Sequence, residues 1–277
     1  MQLNRREALL GALAAQGAGR LPRVEFGPHR VSRLIAGGNP ISGNSHVSGE
    51  LSREMRDYFT AARVKELLRA CEAAGIDTWQ SRGDRHILRL LNEHRLEGGR
   101  IQWIAQTASE LGDIPRNIQE CAAAGAIGIY HHGTQTDKFW AAGQIEAARE
   151  MLKVMRQTGV RVGLGTHIPE VVDHVESKDW DFDFYMTSLY NLSAGQGFQE
   201  ADRERMLRRV RQASKPCLIF KVYGATRRCA SRETMLEALR QTFAFAKPVD
   251  SVVIGMFPKY KEQVRENCEL VRAALAT

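Results

Sequence analysis

Cys71-Glu-Ala-Ala-Gly75 runs directly into Ile76-Asp-Thr-Trp79: a helix-forming stretch, one glycine, then a short apolar run. The same grammar returns at Cys121-Ala-Ala-Ala-Gly125 before Ala126-Ile-Gly-Ile-Tyr130. It returns again at Met155-Arg-Gln-Thr-Gly159 before Val160-Arg-Val-Gly-Leu164. A glycine just past a helix end supplies the left-handed conformation that closes the helix, so these are helix-to-strand joints and not hairpins. Their spacing is irregular, which excludes a solenoid repeat.

Outward from these joints, strand signals recur at 33–37, 76–80, 101–106, 126–131, 160–165, 182–187, 217–222 and 251–255. Helical stretches at 61–74, 85–95, 115–124, 144–158, 200–213 and 231–245, a shorter one at 169–176 and a last one at 260–275 lie between or after them. Strands that alternate with helices pair in parallel through crossovers. A doubly wound sheet would carry a spaced glycine triplet after its first strand, whereas Ile35-Ala-Gly-Gly-Asn-Pro40 has none. The expected fold is therefore α/β, a single (β/α)8 TIM barrel over 25–277, with residues 1–24 as a short N-terminal helical extension.

Composition narrows the function classes. With 43% hydrophobic and 26% charged residues among 277, the chain is globular in character, and no apolar run reaches the ~18–20 residues of a membrane span. Cysteines 71, 121, 217, 229 and 268 have no metal-ligand spacing, so reduced, mostly buried thiols are expected. The net charge of +7 is scattered over many helices and not gathered into a stripe with stacking aromatics. Neither nucleic acid nor a membrane is expected as a partner, and a small-molecule substrate is. Arg5-Arg6 followed by Glu-Ala-Leu-Leu-Gly-Ala-Leu-Ala-Ala15 reads as a short helix leading into a cytoplasmic protein, with a twin-arginine export leader as the alternative. The sequence says nothing of oligomeric state.

In such a barrel the chemistry gathers at the C-terminal ends of the strands. There the chain places Asn39, His46, Gln80, Arg82, Gln106, His131, His132, His167, Asn191, Lys221 and Tyr223. Lys221, inside the apolar run Cys-Leu-Ile-Phe-Lys-Val-Tyr223, is expected to lose pKa on burial and to act as a general base or imine nucleophile. His132 and His167 are expected as acid/base groups or, alternatively, as two ligands of a divalent metal, with polar lining as the plainer reading. One of His131 and His132 must face away from the barrel. Asn39, His46, Gln80, Arg82, Gln106, Asn191 and Tyr223 are expected to bind substrate, and Asp84 to cap a helix. His29, His94 and His174 are expected on the surface.

Ala74-Gly-Ile-Asp-Thr-Trp-Gln80, Ile127–Asp137, Val162–Glu170, Asp183–Asn191 and Ser251–Asn267 together resemble the segment order of the aldo/keto reductase superfamily, and of bacterial proteins on that scaffold, some with twin-arginine leaders. The resemblance implies a barrel, an NADP cofactor and a carbonyl substrate held by an Asp, Tyr, Lys and His. Of that tetrad only a histidine, His132, is matched. Gln80 stands at the aspartate position with Asp77 a short register away, Gln106 or Thr107 stands at the lysine position, and no tyrosine follows Arg82-Gly-Asp-Arg85. Lys259, Lys261 and Arg265 remain to meet a cofactor phosphate, with Gln263 at the family's arginine position. Three functions follow: a lyase- or isomerase-type enzyme working by proton transfer on a small polar, sugar-derived carbonyl compound; a divergent NAD(P)H-dependent reductase; or a non-catalytic binding barrel.

Overall fold

Gly75 ends its helix with φ +89° and returns its N–H to the carbonyls of Cys71 and Glu72, and the glycines of the two sister joints share the left-handed sign. These stops turn each helix back onto the next strand. The computed structural model describes residues 21–191 and 197–276. The proposed N-terminal helix and leader lie outside the described residues.

The chain opens with an antiparallel hairpin, β1 (Arg23–Phe26) and β2 (His29–Ser32), followed by β3 (Leu34–Gly37). Then come α1 (Gly49–Tyr58), α2 (Ala61–Ala74), β4 (Thr78–Arg82), α3 (Arg85–Leu96), β5 (Gln102–Gln106), α4 (Ile114–Ala123) and β6 (Gly128–His131). Next are α5 (Gly133–Ala141), α6 (Glu146–Arg156), β7 (Arg161–Thr166), α7 (Pro169–Ser177) and β8 (Phe184–Ser188). The chain closes with α8 (Glu200–Gln212), β9 (Cys217–Phe220), α9 (Arg232–Phe245), β10 (Ser251–Gly255) and α10 (Gln263–Leu275). Strands β3 to β10 pair in parallel in chain order, and β10 pairs with both β9 and β3, closing the ring. This is the (β/α)8 barrel, with all eight strands at the predicted places to within two residues at their starts.

Alternate strand residues divide into two cores. Ile35, Ile104, Tyr130, Phe184, Met186, Leu218 and Val253 fill the barrel interior, and Phe26 of the hairpin joins them from below. A larger cluster, including Trp79, Trp103, Ile129, Val162 and Val252, packs between strands and helices. Among the described residues no helix is long and apolar enough to cross a membrane.

Three elements were not expected. The hairpin is two four-residue strands in which exposed, half-buried and buried residues mix without a clean alternation, too short a pattern to register. Helix α1 buries only Met55, so its apolar stripe is faint. Helix α5 begins on Gly-Thr-Gln-Thr, in which Gly133, Thr134 and Thr136 are poor helix formers, immediately after β6. The surface reading of His94 is also corrected: it is fully buried, its Nε2 3.3 Å from Glu72 Oε1. His174 is half-buried against Trp140 and Trp180.

Candidate functional site

The C-terminal mouth of the barrel opens on a cavity of about 470 Å3. Asn39, His46, Gln80, Arg82, Gln106, His132, His167 and Lys221 line it together. Two residues proposed beside them do not. Asn191, at the edge of the undescribed 192–196, lines neither this cavity nor its neighbour. Tyr223 belongs to the neighbouring chamber, where its hydroxyl donates to Asn267 Oδ1 at 2.8 Å.

Lys221 was expected within a strand. The strand instead ends at Phe220, and Lys221 adopts φ +60° as the first residue of a turn in which Gly224 N–H donates to its carbonyl. A side-chain-bearing residue in this region carries a strain of roughly 1–3 kcal/mol. Its ammonium sits 4.5 Å over the Phe220 ring and 3.3 Å from His167 Nε2. Burial lowers its pKa to about 8, against a smaller opposing pull from Asp137.

His167 Nδ1 lies 2.7 Å from Oδ2 of Asp137, a carboxylate only 2% exposed. An ionised carboxylate only accepts, so the proton is on Nδ1 and the neutral imidazole presents the lone pair of Nε2 to Lys221. Thr166 Oγ1 donates to Asp137 Oδ1 at 2.7 Å, and the His167 N–H also points at the carboxylate. Asp137, His167 and Lys221 thus form one chain of polar groups from the helix layer to the cavity. Asp137 was not among the expected site residues. It sits mid-helix on α5, the helix absent from the sequence reading, and no linear spacing relates it to Lys221.

On the opposite wall His132 Nδ1 meets Ser109 Oγ at 2.7 Å, and burial holds its pKa near 4, so it is neutral at pH 7. His131 faces outward, bonded to Thr136 Oγ1 at 2.8 Å and stacked on Phe139. The floor is a relay of three side chains: Gln80 Nε2 donates to the Tyr130 hydroxyl at 2.7 Å, which donates to Gln106 Oε1 at 2.9 Å. Tyr130 is another group missed in the sequence, hidden as an ordinary strand aromatic. The relay leaves the Gln80 carbonyl and the Gln106 amide N–H2 for a ligand.

Arg82 is held by Asp84 and Glu110, each at 3.1 Å, which offsets its charge. Asp84 also caps α3 through the Ile87 N–H. Over the mouth, the loop from β3 to α1 brings Asn39 Nδ2 to 3.4 Å from His46 Nε2, and the Ser45 and Ser52 hydroxyls, 2.8 Å apart, brace that loop.

The metal reading does not fit these residues. Among the described residues no three His, Cys, Asp or Glu side chains converge as a ligand set. The Nε2 that would bind a cation faces the Lys221 ammonium instead. Of the basic residues offered to a cofactor phosphate, Lys259 pairs with Glu54, Lys261 with Glu266, and Arg265 lies along α10 near Glu269.

No protein-family model and no curated protein matches the chain. Solved structures do. A truncated 3-deoxy-D-arabino-heptulosonate 7-phosphate synthase from Thermotoga maritima aligns at 12% identity and TM-score 0.56, over 93% of this chain and 92% of that one. The N-acetylmannosamine-6-phosphate 2-epimerase from Clostridium perfringens aligns at 13% and 0.52, over 80% and 85%. A mutant tryptophan synthase α-subunit from Pyrococcus furiosus aligns at 13% and 0.52, over 88% and 97%. At such identities the likeness is one of fold. These barrels lie outside the aldo/keto reductases, so the family resemblance drawn from segment order is corrected to a shared architecture. The structure adds a reason: Asp77, the nearest stand-in for that family's aspartate, lies at the opposite end of the barrel, paired with Arg23 and the Ser32 N–H.

Proposed function

We propose that this chain is an enzyme of lyase or isomerase type, acting on a small polar, hydroxylated carbonyl compound through the amine of Lys221. The observation that carries the reading is the Asp137–His167–Lys221 chain. A lysine with a pKa near 8 supplies free amine at neutral to mildly alkaline pH. His167 Nε2 is the acceptor for a proton leaving Nζ, and Asp137 stabilises the imidazolium that results.

The neutral amine adds to the substrate carbonyl carbon, and loss of water leaves an imine. Once protonated, the imine draws electrons from the neighbouring carbon and eases loss of a proton or cleavage of a carbon–carbon bond there. His132, neutral and facing the same cavity, is the base for that step. Gln80, Gln106 and Asn39 offer both donors and acceptors to substrate hydroxyls.

Borohydride trapping with glyceraldehyde, dihydroxyacetone and pyruvate tests the assignment. The expected result is a covalent mass increase located at Lys221, absent from a Lys221→Met variant whose circular dichroism is unchanged. No adduct with any of the three, or equal labelling of the variant, overturns it.

A further inference from the structure

Beside the polar cavity lies a second chamber of about 260 Å3 between β9, β10, α1 and α10, and Lys221, Phe220 and His46 belong to the walls of both. Its far walls are Leu51, Met55, Val222, Met235, Ile254 and Phe257. Away from the seam with the first cavity, where Asn39, Asn44, His46, Gln80 and Lys221 border both, the polar side chains around it are mostly engaged with one another. Tyr223 donates to Asn267, whose amide donates to the Gln263 carbonyl, and Gln263 Oε1 takes the Phe257 N–H at 2.7 Å. Lys261 and Glu266 are paired at 2.8 Å, and Ser45 is bonded within its own loop.

Groups so paired offer little to a polar ligand, and the wall they leave is apolar. The floor of the first cavity, by contrast, leaves an amide acceptor and donor free on Gln80 and Gln106, of which Gln80 also borders the second chamber at the seam. The geometry points to a bipartite substrate: a hydroxylated carbonyl head in the polar cavity, and an apolar tail lodged in the second chamber, with Lys221 at the junction. A cavity of roughly 150 Å3 accommodates benzene, so 260 Å3 suits a phenyl ring with a short linker. This inference rests on Lys221 as the reacting amine for the position of the carbonyl, but the tail's affinity is independent of that chemistry.

Calorimetric titration of the full chain with hydroxyacetone and with 1-hydroxy-4-phenylbutan-2-one tests it. The phenyl ketone is expected to bind about 30-fold tighter or better, from the apolar surface it removes from water. In Met235→Trp, which fills the chamber, the ratio of the two affinities should fall toward one. Cys229→Phe, at a half-buried wall position, is the second variant should the first not fold. Equal affinities in the unaltered chain, no binding of the phenyl ketone, or a ratio that survives both filled variants overturns the inference. Lys221→Met separates the two claims: loss of trapping with the ratio intact belongs to the lysine chemistry, and loss of the ratio to the chamber.

Discussion

Lys221 and Asp137 are 84 positions apart in the chain and joined through one imidazole. Desolvation favours the neutral amine and Asp137 favours the ammonium, so the amine's pKa is set by their balance, near 8. Protonated Lys221 cannot attack a carbonyl. Trapping rates should therefore rise with pH through about 8 and level off above it. Asp137→Asn removes the anion that sustains the ammonium, so the rising limb should move to lower pH. Its plateau should also fall about 100- to 10,000-fold, because an amide can no longer fix the tautomer of His167. A purely structural role for Asp137 would lower the amount of folded protein and leave the pH midpoint where it was. The pH profile of both proteins, normalised to folded material, decides between them.

At the scale of elements, the seating of α5 on β7 builds the site. A Cβ at Gly165 would lie 2.7 Å from the His131 carbonyl oxygen and 2.8 Å from the Gly133 nitrogen, so only glycine lets the β6–α5 connection pass this close. That close pass holds Asp137 against Thr166 and His167. Gly165→Ala should cost roughly 1–3 kcal/mol through overpacking against backbone. It should also slow trapping at Lys221 by lengthening the Asp137–His167 contact. Calorimetry and trapping kinetics on the same preparation check both, and an unchanged melting temperature would contradict the steric argument. Helix α5 also shows why part of the site was illegible. Its first turn reads as a loop by propensity, and its helical state follows from the room left over β7.

For the whole molecule, the candidate site and the hairpin that closes the core occupy opposite ends of one barrel. The hairpin drives Phe26, 1% exposed, into the interior layer, with its ring 4.9 Å from that of Phe184. Phe26→Ala should cost about 3–5 kcal/mol in urea unfolding. Trapping per folded molecule should stay within two-fold of the parent, since the cavity lies at the other mouth. A loss of stability below 1 kcal/mol would mean that the hairpin is peripheral and not a plug. The overall architecture was legible because eight strand–helix units bury both faces of every strand, and this leaves a periodic apolar signature in the chain.

Local sequence determined the strand and helix alternation, the glycine stops at the joints, the cap at Asp84, and the collection of polar side chains on one rim. Each depends on neighbours a few residues away, through backbone conformation and burial period. Only the tertiary structure decided that His131 turns outward and His132 inward, that Arg82 is neutralised by Glu110, and that Asp137 stands behind His167. It alone decided that Lys221 leaves its strand in a left-handed turn and comes to rest between two chambers. Those outcomes depend on which strands become neighbours when the ring closes, and on the space that closure leaves, neither of which is encoded in the spacing of residues along the chain.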